Sequence, residues 1–259
     1  MSAVAFMKRR AMLRALGCGV VVSGLPVALA QGSAGVDGPS PHRLPLATID
    51  DLEIAQPAEL DGEAADLAVL ALGIVDLPSG QFVGVDGLLL EGAAFVPSVP
   101  PGRYPVQIVL ARVPGGDERV AFMLVRLTER PAQRWSNALI EGEDPDSLAE
   151  DEVSVFEVES GVAGLFDATA LAGWRAEIPH NQGVFRELEQ VLRENRRPVW
   201  TWARVRAAGG SGFLVTAGLG AGEYAAYWGR DRDDKIVSLV LDFDLLDWAG
   251  LPLEPAVTA

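Results

Sequence analysis

Carboxylates are the one abundant chemical resource of this chain. Thirty-six aspartates and glutamates stand against 21 lysines and arginines, two histidines and a single cysteine in 259 residues. Two such acids brought into one cleft can perform acid and base work, as in glycoside hydrolysis, or hold a hard cation such as Ca²⁺. The candidates for that pair are Asp167 and Glu223, with Glu159 a third acid near them in type and setting. Spacing alone does not bring them together, and Asp167 precedes the stretch Ala168 to Trp174, where an aspartate also serves as a helix cap or turn anchor. Asp231-Arg232-Asp233-Asp234 begins like a calcium loop but lacks its sixth-position glycine and twelfth-position glutamate, so it reads as a solvated hairpin turn.

Other chemistries are excluded by what the chain lacks. His42 and His180 cannot supply H-E-x-x-H or a facial triad, so no metal site is expected. A Ser-His-Asp arrangement would need His180 with Ser160 and Asp167, yet no G-x-S-x-G elbow surrounds Ser160 or Ser211. Gly218-Leu219-Gly220-Ala221-Gly222 is followed by a strand pattern rather than a helix, and no Lys-Ser/Thr follows, so it reads as a turn and not a phosphate cradle. No cofactor is expected.

Aromatic residues are the second resource. Tyr224, Tyr227 and Trp228, with Trp200 and Trp202, form a cluster that can bind sugars or peptides by stacking or can fill a sheet core. Trp200, Trp202 and Arg204 alternate along one strand face, with Thr201, Ala203 and Val205 on the other. Arg103, after Pro100-Pro101-Gly102, starts a strand as a surface arginine and is a further candidate for binding a carboxylate.

The N-terminus points to export. Met7-Lys8-Arg9-Arg10 supplies a positive n-region, Ala15 to Leu29 is apolar, and Ala28-Leu29-Ala30 is a cleavage site before Gln31. Arg9 to Arg14 resembles a twin-arginine pattern, the alternative being general secretion; translation from Met7 gives a tidier n-region than from Met1. A signal over residues 1–30, a Gly/Ser/Pro-rich tether over 31–47 and one domain over 48–259 are expected, with a periplasmic or secreted location and no stable membrane span after cleavage. Cys18 lies inside the signal, as a poor lipobox, so the mature chain has no thiol. Cleavage also removes Lys8, Arg9, Arg10 and Arg14 and no acids, so the formal charge moves from −15 to −19. That field repels nucleic acid; it confers solubility, or attracts a basic partner.

The elements that must position these residues are mostly strands. Asp66 to Asp76 reads as a strand, Pro78-Ser79-Gly80 as its turn and Gln81 to Leu90 as the returning strand. Tyr104 to Val113 and Arg119 to Leu127 flank Pro114-Gly115-Gly116-Asp117 as a hairpin whose apolar arms belong at the centre of a sheet covered on both faces. Val184, Leu188, Val191 and Leu192 share one helical stripe, predicting a helix over 183–195 that Pro198 stops and whose cap lies near His180. Pro131 to Ile140 is a second candidate helix, with Trp135, Ala138 and Leu139 inward, and Thr48 to Leu60 holds a short helix or turn. Four closing strands, 198–206, 212–217, 223–228 and 235–243, predict a meander. The fold class is therefore α+β and mainly β, an antiparallel meander or sandwich-like sheet with a few packed helices.

Four blocks in this order carry a resemblance: SVPPGRYPVQIVLARV at Ser98 to Val113, ERVAFMLVRL with Trp135 and Ala138, FEVESGVAGLFDA at Phe156 to Ala168, and AGLGAGEYAAYWGRDRDDKIVSLVLDF at Ala217 to Phe243. Together they resemble the bacterial domain-of-unknown-function 4241 family, which implies no nameable activity. Where the family has Val-Asp-Ser-Gly this chain has Val158, Glu159, Ser160 and Gly161; where relatives carry Gly-Asp-Gly it has Ala221. A family site using that second carboxylate would be lost here, or replaced by Glu223. The leading functional expectation is an exported, non-catalytic binding domain for an unknown ligand or protein, using Glu159, Asp167, Tyr224, Tyr227 and Trp228. The alternatives are a carboxylate-dependent cell-envelope hydrolase acting on glycans through Asp167 and Glu223, and an immunity-type inhibitor of a basic toxin.

Overall fold

The computed structural model describes residues 66–112, 117–148, 153–207 and 209–246, with the backbone of short strands at His42–Leu44, Glu59–Leu60, Glu63–Ala64 and Leu253–Glu254. The expected signal, most of the tether and most of the Thr48 to Leu60 element lie outside these residues. All described residues belong to one unit, Gln31–Ala259. Among them no helix is long and apolar enough to cross a membrane.

The strands are apolar runs bounded by Gly, Pro and Asp turns, with β-branched and aromatic residues among them that suit a pleated, half-buried surface. In chain order they are β1 (Asp66–Leu77), β2 (Phe82–Asp86), β3 (Gly92–Val96), β4 (Gly102–Arg112), β5 (Glu118–Arg126), β6 (Arg134–Asn137), β7 (Leu139–Ile140), β8 (Val155–Val158) and β9 (Val162–Asp167). Helices α1 (Ala168–Glu177) and α2 (Gln182–Glu194) follow, then β10 (Trp202–Ala207), β11 (Gly210–Thr216), β12 (Gly222–Arg230) and β13 (Ile236–Asp242). The larger, nine-stranded sheet runs His42–Leu44, β1, β4, β5, β13, β12, β6, Leu253–Glu254, with β8 on the same edge of β12 as β6. The smaller sheet has six strands in the order β7, β3, β2, β9, β11, β10. Among the described residues all pairings are antiparallel except that of Leu253–Glu254 with β6. The α+β, mainly β class is thus observed.

Apolar side chains fill three layers. Between the sheets lie Leu72, Phe95, Ile108, Met123, Phe213 and Trp228, all buried. On the outer face of the small sheet, Leu171 and Trp174 of α1 and Val184 and Leu188 of α2 cover Val83, Val85, Phe166 and Val205. A third cluster, including Val109, Phe122, Leu124, Trp135 and Val240, lies on the other face of the large sheet. The β4–β5 hairpin is therefore apolar on both faces at the sheet centre, as its sequence requires. The amphipathic helix expected over 183–195 is α2, capped by Asn181, with its apolar stripe on the small sheet.

Three expectations are corrected. Residues expected to form a helix from Pro131 to Ile140 are β6 and β7, with Trp135 in one apolar layer and Ala138 in another. Their apolar spacing fits a helix, but the open edge of β12 supplies hydrogen-bond partners for an extended chain, and tertiary pairing overrides local preference. The strand after Pro78-Ser79-Gly80 does not return alongside β1. β1 belongs to the large sheet and β2 to the small one, so the turn is an arch between layers. The closing strands likewise form two hairpins, β10–β11 in the small sheet and β12–β13 in the large, joined by the glycine turn 217–221. His42–Leu44, inside the expected tether, pairs with Val69–Ala71.

Candidate functional site

A concavity among the described residues lies beside β8. It is built on the turn between β2 and β3. Asp86, 2% exposed, accepts N–H bonds from Leu88 and Leu89 on Oδ1 at 2.9 Å each, and a hydroxyl bond from Ser160 at 2.7 Å; its Oδ2 accepts the Ser160 N–H at 2.6 Å. Burial pushes the Asp86 carboxyl up, but these hydrogen bonds together outweigh it and hold the group below its ordinary value. Leu90 closes the turn in the left-handed region, φ 59°, a costly conformation for a leucine. Arg175 of α1 restrains it, donating from Nε to the Leu90 carbonyl at 2.8 Å and from Nη2 to the Gly92 carbonyl at 3.3 Å. The turn so held leaves Leu89 half exposed at the lip.

The opposite wall is β8. Phe156 and Val158 point into the inter-sheet core, which leaves Val155 and Glu157 on the other face. Leu89, Ala93, Ile140, Val155 and Phe156 make the cleft apolar, while Glu91, Glu157 and Glu159 stand exposed around it, over a cavity volume of ≈ 230 Å³. Small-molecule sites occupy about 300–1,000 Å³, so this space suits a single side chain better than a sugar chain. Across β12, Glu157 lies directly opposite Glu223, a like-charged pair that disfavours the folded state unless a cation is near. Among the described residues no group of three or more His, Cys, Asp or Glu side chains is placed to hold a metal ion.

The structure brings only some of the expected residues here. Glu159 lines the cleft and Glu223 faces its wall through Glu157. Asp167 is elsewhere. It is fully buried, and its four hydrogen bonds make it the N-cap of α1 and the clamp of the Ser79 turn. Gly161, at the start of β9, packs against Gly220 and Ala221, beside Glu223, whereas Asp167 ends the same strand. At about 3.3 Å per residue, six steps separate the two ends by about 20 Å. An acid–base pair on a glycosidic bond needs about 5–10 Å, so the pairing of Asp167 with Glu223 is corrected. Ser160 is bound to Asp86 and His180 is exposed beside the cap of α2, so they form no triad. The Asp231 turn is the expected hairpin: Asp231 Oδ1 accepts the N–H groups of Asp233 and Lys235, and Oδ2 accepts Arg130 Nη1 at 2.6 Å.

The aromatic cluster is core. Tyr224, Tyr227 and Trp228 are 6%, 8% and 1% exposed, leaving no ring face for a ligand. Tyr224 packs between Phe156 and Phe243, donates its hydroxyl to the Gly220 carbonyl at 2.7 Å, and has its pKa pushed up to about 12 by burial and by the charge of Asp244. A spectrophotometric titration at 295 nm is expected to show one tyrosine ionising about two units late. Because the folded value is raised, Tyr224 contributes stability below pH 10 that disappears between pH 10 and 12, on the order of 2 kcal/mol. A Tyr224→Phe chain that keeps the late step contradicts the assignment.

Asp86, Glu91 and Glu157 escaped notice in the sequence. Asp86-Gly87 is a turn-forming dipeptide, and that signal marks the loop; nothing local marks its contact with Ser160, 74 residues away. Neither a search of curated proteins nor one of solved structures finds a match. A family model does match, over residues 75–241, which takes in both walls of the cleft and the buried Asp167, and the chain accordingly belongs to the family described as Protein of unknown function (DUF4241).

Proposed function

We propose that this chain is an exported, non-catalytic binding domain whose cleft between the β2–β3 turn and β8 receives a basic side chain from an extended peptide segment. The observation that carries the reading is the ring of exposed Glu91, Glu157 and Glu159 around an apolar floor. Lysine and arginine match both parts, with a hydrocarbon stem for Leu89 and Ile140 and a cationic head for the carboxylates. Among the described residues β8 pairs with β12 alone, so its second edge offers backbone groups to an added strand. The −15 formal charge steers such a ligand. Periplasmic or secreted placement is part of the proposal and is supported by the Lys8-Arg9-Arg10 n-region, the apolar stretch and the Ala28-Leu29-Ala30 site.

The immunity-type reading is the same recognition with a folded basic protein as ligand. The hydrolase reading draws no support from this geometry, because the acids of the cleft lie around a side-chain-sized space and Asp167 is not among them.

Calorimetric titration with a peptide alternating lysine and valine is the test, with a glutamate-valine peptide as control. Binding is expected for the first only, and Glu91→Gln, Glu157→Gln and Glu159→Gln together are expected to weaken it about tenfold, at a few tenths of a kcal/mol or more per exposed pair. Equal binding by the triple variant, or equal binding of both peptides, rejects the proposal.

A further inference from the structure

The other end of β9 carries the opposite charge. There the last residues of β1 before its turn include Asp76, whose main-chain N–H donates to Ser211 Oγ at 2.7 Å. Its carboxylate is shared: Oδ1 accepts Arg103 Nε at 2.9 Å and Oδ2 accepts Arg204 Nη2 at 3.2 Å. Arg204 follows Trp202 on the inter-sheet face of β10, is 4% exposed, and lies 5.8 Å over the Phe213 ring. Two residues on, Arg206 projects on the same side of the strand and is exposed.

Charge is concentrated here against the trend of the whole molecule. Two guanidiniums, of Arg103 and Arg204, share the Asp76 carboxylate and Arg206 is a third cation beside Arg204, while the oxygens of Asp167 at this end of β9 are already taken by Ser79, Thr169 and Ala170. Arg103 engages Asp76 through Nε alone, with its side chain 70% exposed, so both of its terminal NH₂ groups face solvent-accessible space. Among the described residues no ion pair holds Arg206. Both exposed cations act on Arg204, whose guanidinium burial, then Arg206, hold below its ordinary value against the pull of Asp76, with Arg103 adding to the same effect. An anion bound between the exposed pair would relieve that repulsion, and a guanidinium's planar fork is suited to an oxyanion.

We infer that Arg103 and Arg206, backed by the buried Arg204–Asp76 pair, form a binding site for an oxyanion, the carboxylate or phosphate group of a ligand. Its place at the far end of β9 makes it independent of the acidic cleft. The full chain is melted in phosphate, in acetate and in chloride at matched ionic strength. At about ten times the dissociation constant, an oxyanion is expected to raise the melting temperature by roughly 3–5 °C over chloride. A response to phosphate alone assigns a phosphorylated ligand, and a response to both assigns a carboxylate-bearing one. Arg206→Gln, which breaks no ion pair among the described residues, is expected to weaken the anion at least tenfold, and Arg103→Gln likewise. The Glu91, Glu157 and Glu159 variant is expected to respond as the parent chain does. Chloride matching the oxyanions, or an undiminished response in Arg206→Gln, overturns the site.

Discussion

Replacing Asp167 with alanine is expected to destabilise the domain by about 2–4 kcal/mol, seen as a lower urea midpoint with an unchanged slope. Its Oδ1 accepts the N–H groups of Thr169 at 2.8 Å and Ala170 at 3.0 Å, the first turn of α1. Loss of such a cap costs about 1 kcal/mol. Its Oδ2 accepts the Ser79 N–H at 2.9 Å and the Ser79 hydroxyl at 2.5 Å, and those donors sit in the arch that carries the chain from the large sheet to the small one. Leaving them without an acceptor adds about 1–3 kcal/mol. Asparagine separates a structural role from an acid–base one. Its Oδ1 preserves the cap, while its amide group faces the Ser79 N–H as a donor, so Asp167→Asn should fall between the parent chain and alanine. A variant with unchanged stability would mean that Asp167 is held for chemistry after all.

Asp86→Asn is expected to be comparably damaging, about 2–4 kcal/mol, because all of the carboxylate's hydrogen bonds are accepted ones and an amide converts one acceptor into a donor facing Ser160. The pH dependence follows from the depressed carboxyl. Its stabilisation is complete above the ordinary value of 3.8 and is lost as pH falls through the lower folded value, so the parent chain should lose stability in strong acid faster than the variant. The Asp86 turn also forms the lip of the cleft. Peptide binding should weaken in Asp86→Asn under conditions where the domain is still folded. Retained stability together with retained acid sensitivity would show that Asp86 is not the anchor.

Both predictions concern residues whose distant partners are invisible locally. Asp167 stood out in sequence because it precedes an apolar run, and capping was one of its two expected uses; the partner Ser79, 88 residues away, was not legible. Tyr224, Tyr227 and Trp228 were recognisable as a cluster, but a ring that stacks on a sugar and a ring that fills a core share one pattern, and only burial tells them apart. The failure at Pro131 to Ile140 has the same origin: an apolar spacing compatible with a helix becomes a strand when β12 presents an open edge.

What the residue order determined unaided was local and additive: the acidic balance, the scarcity of histidine and cysteine, the β-rich class, the twice-covered β4–β5 hairpin and the stripe of α2. Those follow from composition and from periods of two and 3.6 residues, which need no partner to be read. Only the tertiary structure decided which strands share a sheet, that Asp167 and Glu223 stand at opposite ends of β9, and that Glu91, Glu157 and Glu159 ring one cleft. Each of those outcomes depends on contacts between segments far apart in the chain, and the turns at Ser79 and Ala217–Ala221 that arrange them look locally like ordinary hairpin reversals.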